Sequence, residues 1–132
     1  MIIFIQIDMT SEVPIYEQIK QRIIEGIARR EIAGGESLPS VRQLAADLGV
    51  NMHTISKAYA QLKEKGFLSI HRNLGAVVNQ PSDYAADEEY INELVLALRP
   101  LAIEAVCKGI KAGEWLSVCN DAYEGLQKKR SF

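Results

Sequence analysis

Hydrophobic residues recur along the chain at different periods, and each change of period marks a new element. Ile2, Ile3, Phe4, Ile5 and Ile7 form a β-branched and aromatic run, closed by Asp8 and the polar pair Thr10-Ser11, and predict a short strand. From Pro14 the period becomes helical, with Ile15, Ile19, Ile23 and Ile27 at every fourth position and Tyr16 and Ile24 beside them. Proline suits a helix's first turn, where its missing N–H has no partner to lose. The pattern predicts an amphipathic helix of about four turns. Gly34-Gly35 is read as the stop of this segment, and Pro39 forces Leu38 into an extended conformation.

Ser40 and Gln43 have the spacing of a capping box, in which each side chain satisfies a free backbone donor of the other residue. Val41, Leu44, Ala45 and Leu48 follow on one face, so a second helix runs from Ser40 to Gly49, and Asn51 is placed to cap a third straight afterwards. The third helix, at about 51–65, turns Ile55, Ala58, Tyr59 and Leu62 inward and leaves His53, Thr54, Ser56 and Lys57 on or beside the outward face. Gly66 ends it. Phe67, Leu68 and Ile70, then Ala76, Val77 and Val78, flank His71-Arg72-Asn73-Leu74-Gly75 and predict a hairpin at about 67–79.

Pro81-Ser82-Asp83 opens a change of character, which divides the chain into domains at 1–80 and 81–132. Asp87, Glu88 and Glu89 lead into Ile91, Leu94, Val95, Leu98, Leu101, Ala102, Ala105 and Val106 at helical spacing. Pro100 interrupts the pattern without breaking its phase, and so should kink one helix or begin a second. Gly113 is read as the next turn. Trp115, Leu116, Cys119, Ala122, Tyr123 and Leu126 make the stripe of a last helix, whose closing Lys128, Lys129 and Arg130 suit the negative end of its dipole.

Composition narrows the class. A chain of 132 residues with 48% apolar and 24% charged residues is that of an ordinary globular protein, not a disordered or collagen-like one. No stretch is long enough for a membrane span, and the opening apolar run lacks the basic flank and length of a signal peptide, so a cytoplasmic location away from membranes is expected. Cys107 and Cys119 read as small buried apolar groups, and with only His53 and His71 besides them no metal or other cofactor is expected. Neither a catalytic triad order, nor a phosphate loop, nor a helical His-Glu pair is present, which argues against an enzyme.

Charge restores a specific possibility. The net charge of −2 hides a window, 39–80, with five basic and two acidic residues and both histidines. Two helices joined by a short Gly-containing turn, followed by a hairpin, make a mostly α fold with a small β-wing: a winged helix-turn-helix followed by a small helical domain. A helix fits the DNA major groove, and short polar side chains at its start reach base edges. Asn pairs with adenine, Thr offers a hydroxyl and a methyl, Lys57 suits a phosphate or a guanine, and Arg42 suits a phosphate or a base edge. Taken alone, Arg42 and Lys57 are equally readable as solvated helix residues, Ser40 as a helix cap, and Trp115 and Tyr123 as core.

The runs Leu38-Pro39-Ser40-Val41-Arg42-Gln43-Leu44-Ala45 and Leu48-Gly49-Val50-Asn51-Met52-His53-Thr54-Ile55 carry a family likeness, as do Ala58-Tyr59, Leu62 and Gly66-Phe67-Leu68. From about Pro14 to Val78 the chain resembles the DNA-binding domain of the GntR superfamily of bacterial transcription regulators. Pro14-Ile15-Tyr16-Glu17-Gln18-Ile19 and the short helical tail are similar to its YtrA-like branch. The resemblance implies DNA contact at Arg42, Asn51, His53, Thr54 and Ser56 and at a wing around Arg72 and Gly75. Ser40, at its helix terminus, and Lys57 complete the candidate set.

Two regions depart from the family pattern. The wing tip holds Asn73-Leu74 where relatives commonly have Gly and a basic residue, and the recognition helix has Met52 and Ser56 where many carry Arg or other polar residues. The tail is too small to bury its apolar stripe alone, which makes a two-fold partner the simplest expectation. The candidate dimerisation residues are Ile91, Leu94, Val95, Leu98, Leu101, Trp115, Cys119 and Tyr123. The resulting expectation is a homodimeric repressor on a double-stranded inverted-repeat operator, with no small-molecule effector identified. The alternative is a winged helix that binds protein.

Overall fold

A computed structural model describes residues 5–127; Ile2, Ile3 and Phe4 of the expected strand, and Lys128, Lys129 and Arg130, lie outside the described residues. The chain divides into two compact units after Tyr84. The first contains α1 (Ile15–Ala28), α2 (Val41–Leu48), α3 (Met52–Glu64), β1 (Leu68–His71) and β2 (Gly75–Val78), then a 3₁₀ turn at Pro81–Tyr84. The inward positions expected from the sequence close its core. Ile19 and Ile23 of α1, Leu44 of α2, Ile55 and Leu62 of α3, and Leu68 and Val78 of the hairpin are buried together. Central to this core, α3 packs on α1, α2 and β1.

Local chemistry sets most boundaries. Ser40 accepts a 3.0 Å hydrogen bond from the Gln43 N–H, but only half of the capping box forms, because the Gln43 amide donates to Asp47 at 2.7 Å instead. Asn51 caps α3 by accepting from the His53 N–H at 2.7 Å. Pro14 occupies the cap position of α1. Beyond α2 and α3, Gly49 and Gly66 take the left-handed conformation with φ of 68° and 88°.

The end of α1 departs from expectation. The helix stops at Ala28, well before Gly34-Gly35, and the left-handed residue after it is Arg30, with φ of 61°. The N–H groups of Arg30 and Glu31 bond the carbonyls of Ile27 and Gly26, the paired closure that α2 and α3 make through glycine. Core packing, not a glycine, ends this helix: Ile32 is buried against Gly26, where a Cβ would lie 2.8 Å from Ile32 Cδ1.

The described end of the opening run is likewise corrected. Residues 5–8 form no strand; Ile5 and Ile7 are half-buried against the core, and Gln18 Oε1 takes the Asp8 N–H at 2.9 Å. Described residues 5–8 pair with neither strand, and the outer edge of β2 is taken by the connection from α1 to α2. There the Leu38 N–H bonds Ala76 O, and the Val78 N–H bonds Glu36 O, both at 2.8 Å. The hairpin itself is antiparallel, with Leu68 opposite Val78 and His71 opposite Gly75.

The second unit holds α4 (Glu88–Cys107) and α5 (Ala112–Gln127). Asp87 caps α4 by accepting from the Tyr90 N–H at 2.8 Å. Pro100 lies inside this one helix and begins no second one. The turn falls at Gly109, with φ of 81°, while Gly113 lies inside α5. Within this unit α4 and α5 scarcely touch, and of their described residues Ala105 alone is buried. Cys107 and Cys119 are therefore exposed, contrary to expectation. Among the described residues, no helix is long and apolar enough to cross a membrane.

Candidate nucleic-acid interface

Two contacts hold α3 in register. The Tyr59 hydroxyl donates to Pro39 O at 2.7 Å, tying α3 to the entry of α2, and burial pushes this phenol's pKa well up, so it stays a donor. Buried Lys20 of α1 bonds Gln61 of α3 at 3.0 Å while its charge is met by Glu17 at 2.7 Å.

With α3 so fixed, Asn51, His53, Ser56 and Lys57 are exposed at its first turns and Thr54 is half-buried beside them; Ser40 and Arg42 are exposed at the start of α2. The Asn51 amide is committed through its oxygen to the helix terminus, which leaves Nδ2 as its donor. Lys57 Nζ lies 3.9 Å from the centroid of the Tyr16 ring. Met52 is exposed as well, adding an apolar contact point at the helix start.

The wing is anchored at its base and open at its tip. Asn79 donates to Gly66 O at 2.7 Å and accepts from the Ser69 hydroxyl, and the Phe67 ring packs on that of Tyr84 in a tilted arrangement, centroids 4.8 Å apart and planes at 50°. His71, Arg72, Asn73, Leu74 and Gly75 are all exposed, Leu74 at 65%.

The cations of the first unit differ in their partners. On and just after α1, Lys20, Arg22 and Arg29 are each paired with glutamates, while Arg30 beyond them has no carboxylate partner among the described residues. Likewise Arg42, Lys57, Lys63, Lys65 and Arg72 have no carboxylate partner among the described residues. The chain's small net charge therefore coexists with positive charge left available on α2, α3 and the wing.

In the second unit Ile91, Leu94, Val95, Leu98, Leu101, Cys119 and Tyr123 are exposed and Trp115 is half-buried. Exposed Leu96 and Ile103 extend the apolar surface of α4 beyond that stripe. Sequence patterning also passed over Tyr16, Lys20 and Asn79 as supports of the site. Their signal is weak, because each acts on a residue distant in the chain; Tyr16 reads simply as part of an apolar face.

A helix-turn-helix whose second helix opens with exposed polar residues, followed by a hairpin wing, defines a winged-helix DNA-binding regulator. Residues 15–78 match the family model described as bacterial regulatory proteins, gntR family. The chain belongs to the GntR family of transcription regulators, and its relatives are regulators rather than enzymes. It is 33% identical to the HTH-type transcriptional repressor YtrA of Bacillus subtilis, over 94% of this chain and 98% of that protein. The solved structure of YtrA from Sulfolobus acidocaldarius, a GntR-family transcription factor, is 41% identical with a TM-score of 0.60, covering 74% of this chain and 97% of that one. A transcriptional antiterminator from Listeria monocytogenes is similar over 98% of this chain and 96% of its own, at 25% identity and a TM-score of 0.86.

Proposed function

We propose that the chain is a cytoplasmic homodimeric repressor of an inverted-repeat operator. In this reading α3 enters the major groove with Asn51, His53, Thr54 and Ser56 at base edges. Ser40, Arg42 and Lys57 meet phosphates or bases, while Arg72 and Gly75 bring the wing to the backbone. The observation that carries the assignment is the state of the cations in the helix-turn-helix and wing: Lys20, Arg22 and Arg29, on and just after α1, are neutralised by glutamates, whereas Arg42, Lys57 and Arg72 have no carboxylate partner among the described residues.

Repression follows the name of the Bacillus subtilis relative that matches along nearly its whole length. Dimerisation rests on α4 and α5, whose apolar residues lie exposed with scarcely any contact between the helices. Ile91, Leu94, Val95, Leu98, Leu101, Trp115, Cys119 and Tyr123 would be covered by a second copy, since apolar surface of this extent favours association.

Selection of bound sequences from random double-stranded DNA tests the reading. The expected product is an inverted repeat with half-sites about 10 base pairs or a multiple apart. A single unrepeated site would overturn the dimeric mode. Steep weakening by salt, through counterion release, is expected for phosphate contact; binding indifferent to salt would instead favour a protein partner.

A further inference from the structure

We propose that Tyr16 is a positioning residue for DNA binding: its ring holds the Lys57 ammonium where a backbone phosphate is met. The inference rests on the assignment of Lys57 to a phosphate. Lysine is a compact charge on a flexible four-carbon stem, so an exposed lysine spends most of its time away from any one position. Lys57 is not in that condition. Its Nζ lies 3.9 Å from the Tyr16 centroid, within the roughly 6 Å over which a ring face attracts a cation. Tyr16 is itself half-buried and packed on the hydrophobic core, at the start of the helix that lies against α3. The platform is therefore fixed by the same core that fixes α3.

The choice of partner matters. A carboxylate would hold the ammonium equally well but would cancel the charge that a phosphate requires. Adjacent positions on α1 display both outcomes: Glu17 neutralises the buried Lys20 at 2.7 Å, while Tyr16 holds the exposed Lys57 through its ring. An aromatic face leaves the positive charge intact, and an ammonium has three N–H donors, not all of which can point into one ring. Pre-ordering the stem also removes part of the entropy that Lys57 would otherwise lose on binding. The ring is what acts, so phenylalanine should substitute for Tyr16 and an aliphatic residue should not.

The test uses the full chain and the DNA site recovered by selection, with affinity measured across a salt series. Lys57→Gln should lower the slope of log affinity against log salt by about 0.9. Tyr16→Leu should weaken binding roughly 2- to 12-fold, the range for ordering one long side chain, and should add nothing in the Lys57→Gln background. Tyr16→Phe should match the parent. In the free protein, ring-current shielding should move the Lys57 ε-methylene protons upfield in NMR spectra of the parent and of Tyr16→Phe, a readout that does not depend on whether Tyr16→Leu folds.

Parent protein without that shielding would overturn the proposal, as would a Tyr16→Leu loss that persists undiminished without Lys57, or a Tyr16→Phe loss as large as that of Tyr16→Leu. Each of these leaves the Lys57 phosphate contact standing if its own slope change is seen. An unchanged slope and affinity in Lys57→Gln would remove the contact itself and the inference with it.

Discussion

The Tyr59 hydroxyl on α3 donates a 2.7 Å hydrogen bond to the carbonyl of Pro39, just before the cap of α2, so one side chain sets the recognition helix against its partner. Tyr59→Phe should cost about 0.5–1.5 kcal/mol, the usual net worth of such a bond. It should also change the alkaline limb of stability. Burial raises the phenol's pKa above its ordinary value of 10.0, so its contribution is complete below about pH 10 and is lost as pH rises beyond. Urea titrations on either side of pH 10 should show a shallower decline in the variant. A decline as steep as the parent's would mean that Tyr59 does not govern it.

At the end of α1, Arg30 takes the left-handed conformation that Gly49, Gly66 and Gly109 take after the other helix ends described. That conformation costs a side-chain-bearing residue about 1–2 kcal/mol, partly offset by the greater unfolded freedom of glycine. Arg30→Gly should accordingly raise stability by up to about 1 kcal/mol, seen as a higher urea midpoint at unchanged slope. Arg30→Ala should bring no such gain. Equal effects from the two variants would remove backbone strain as the cause.

Features written in a few neighbouring residues were legible in the sequence. Ser40, Gly49 and Asn51 announced the helix-turn-helix because capping depends on local backbone donors, and the four-residue recurrence of isoleucines announced α1. Features decided by distant contacts were not. Ile32 folding back onto Gly26 ends α1 early, and the pairing of Leu38 with Ala76 places the connection from α1 to α2 beside the wing. Gly113 was read as the turn, but the turn falls at Gly109, where the Gly109 N–H bonds the Val106 carbonyl and the Ile110 N–H bonds that of Ala105. The placement of Lys57 over Tyr16 depends on α1 meeting α3, which periodicity on either helix alone does not encode.

Base reading should centre on His53, which is exposed in the first turn of α3 with its backbone N–H already held by the Asn51 cap. His53→Ala should cost about 1–3 kcal/mol on the selected site and far less on random DNA. Half-buried Thr54 is the weaker test, because its replacement also disturbs packing. If His53→Ala weakened both DNAs equally, its contact would be to the backbone.

The wing tip offers a charge test. Leu74 is exposed beside Arg72 with no basic neighbour on its other side. Leu74→Lys should tighten binding to all DNA and leave the ranking of sites intact, since an added cation reads phosphate and not sequence. Reordered preferences in a repeat of the selection would place the tip against base edges instead.

The tail can be separated from the reader because the first unit closes its own core. The cut belongs after Tyr84, not at the compositional change near 80, since the Tyr84 ring packs against Phe67 at the base of the wing. A chain ending there should stay folded, sediment as a monomer and lose most of its operator affinity, because two half-sites would no longer be engaged together. Leu94→Glu combined with Leu98→Glu tests the same point in the full chain. Both residues are about 40% exposed in the isolated chain, so carboxylates there should leave the first unit intact and oppose only burial against a second copy, where their desolvation is expensive. Sedimentation and operator titration should then give a monomer with weakened binding for both variants. A truncated chain that remained dimeric would locate the interface in the winged helix, and a monomer that held the full operator undiminished would show that pairing is not needed for recognition.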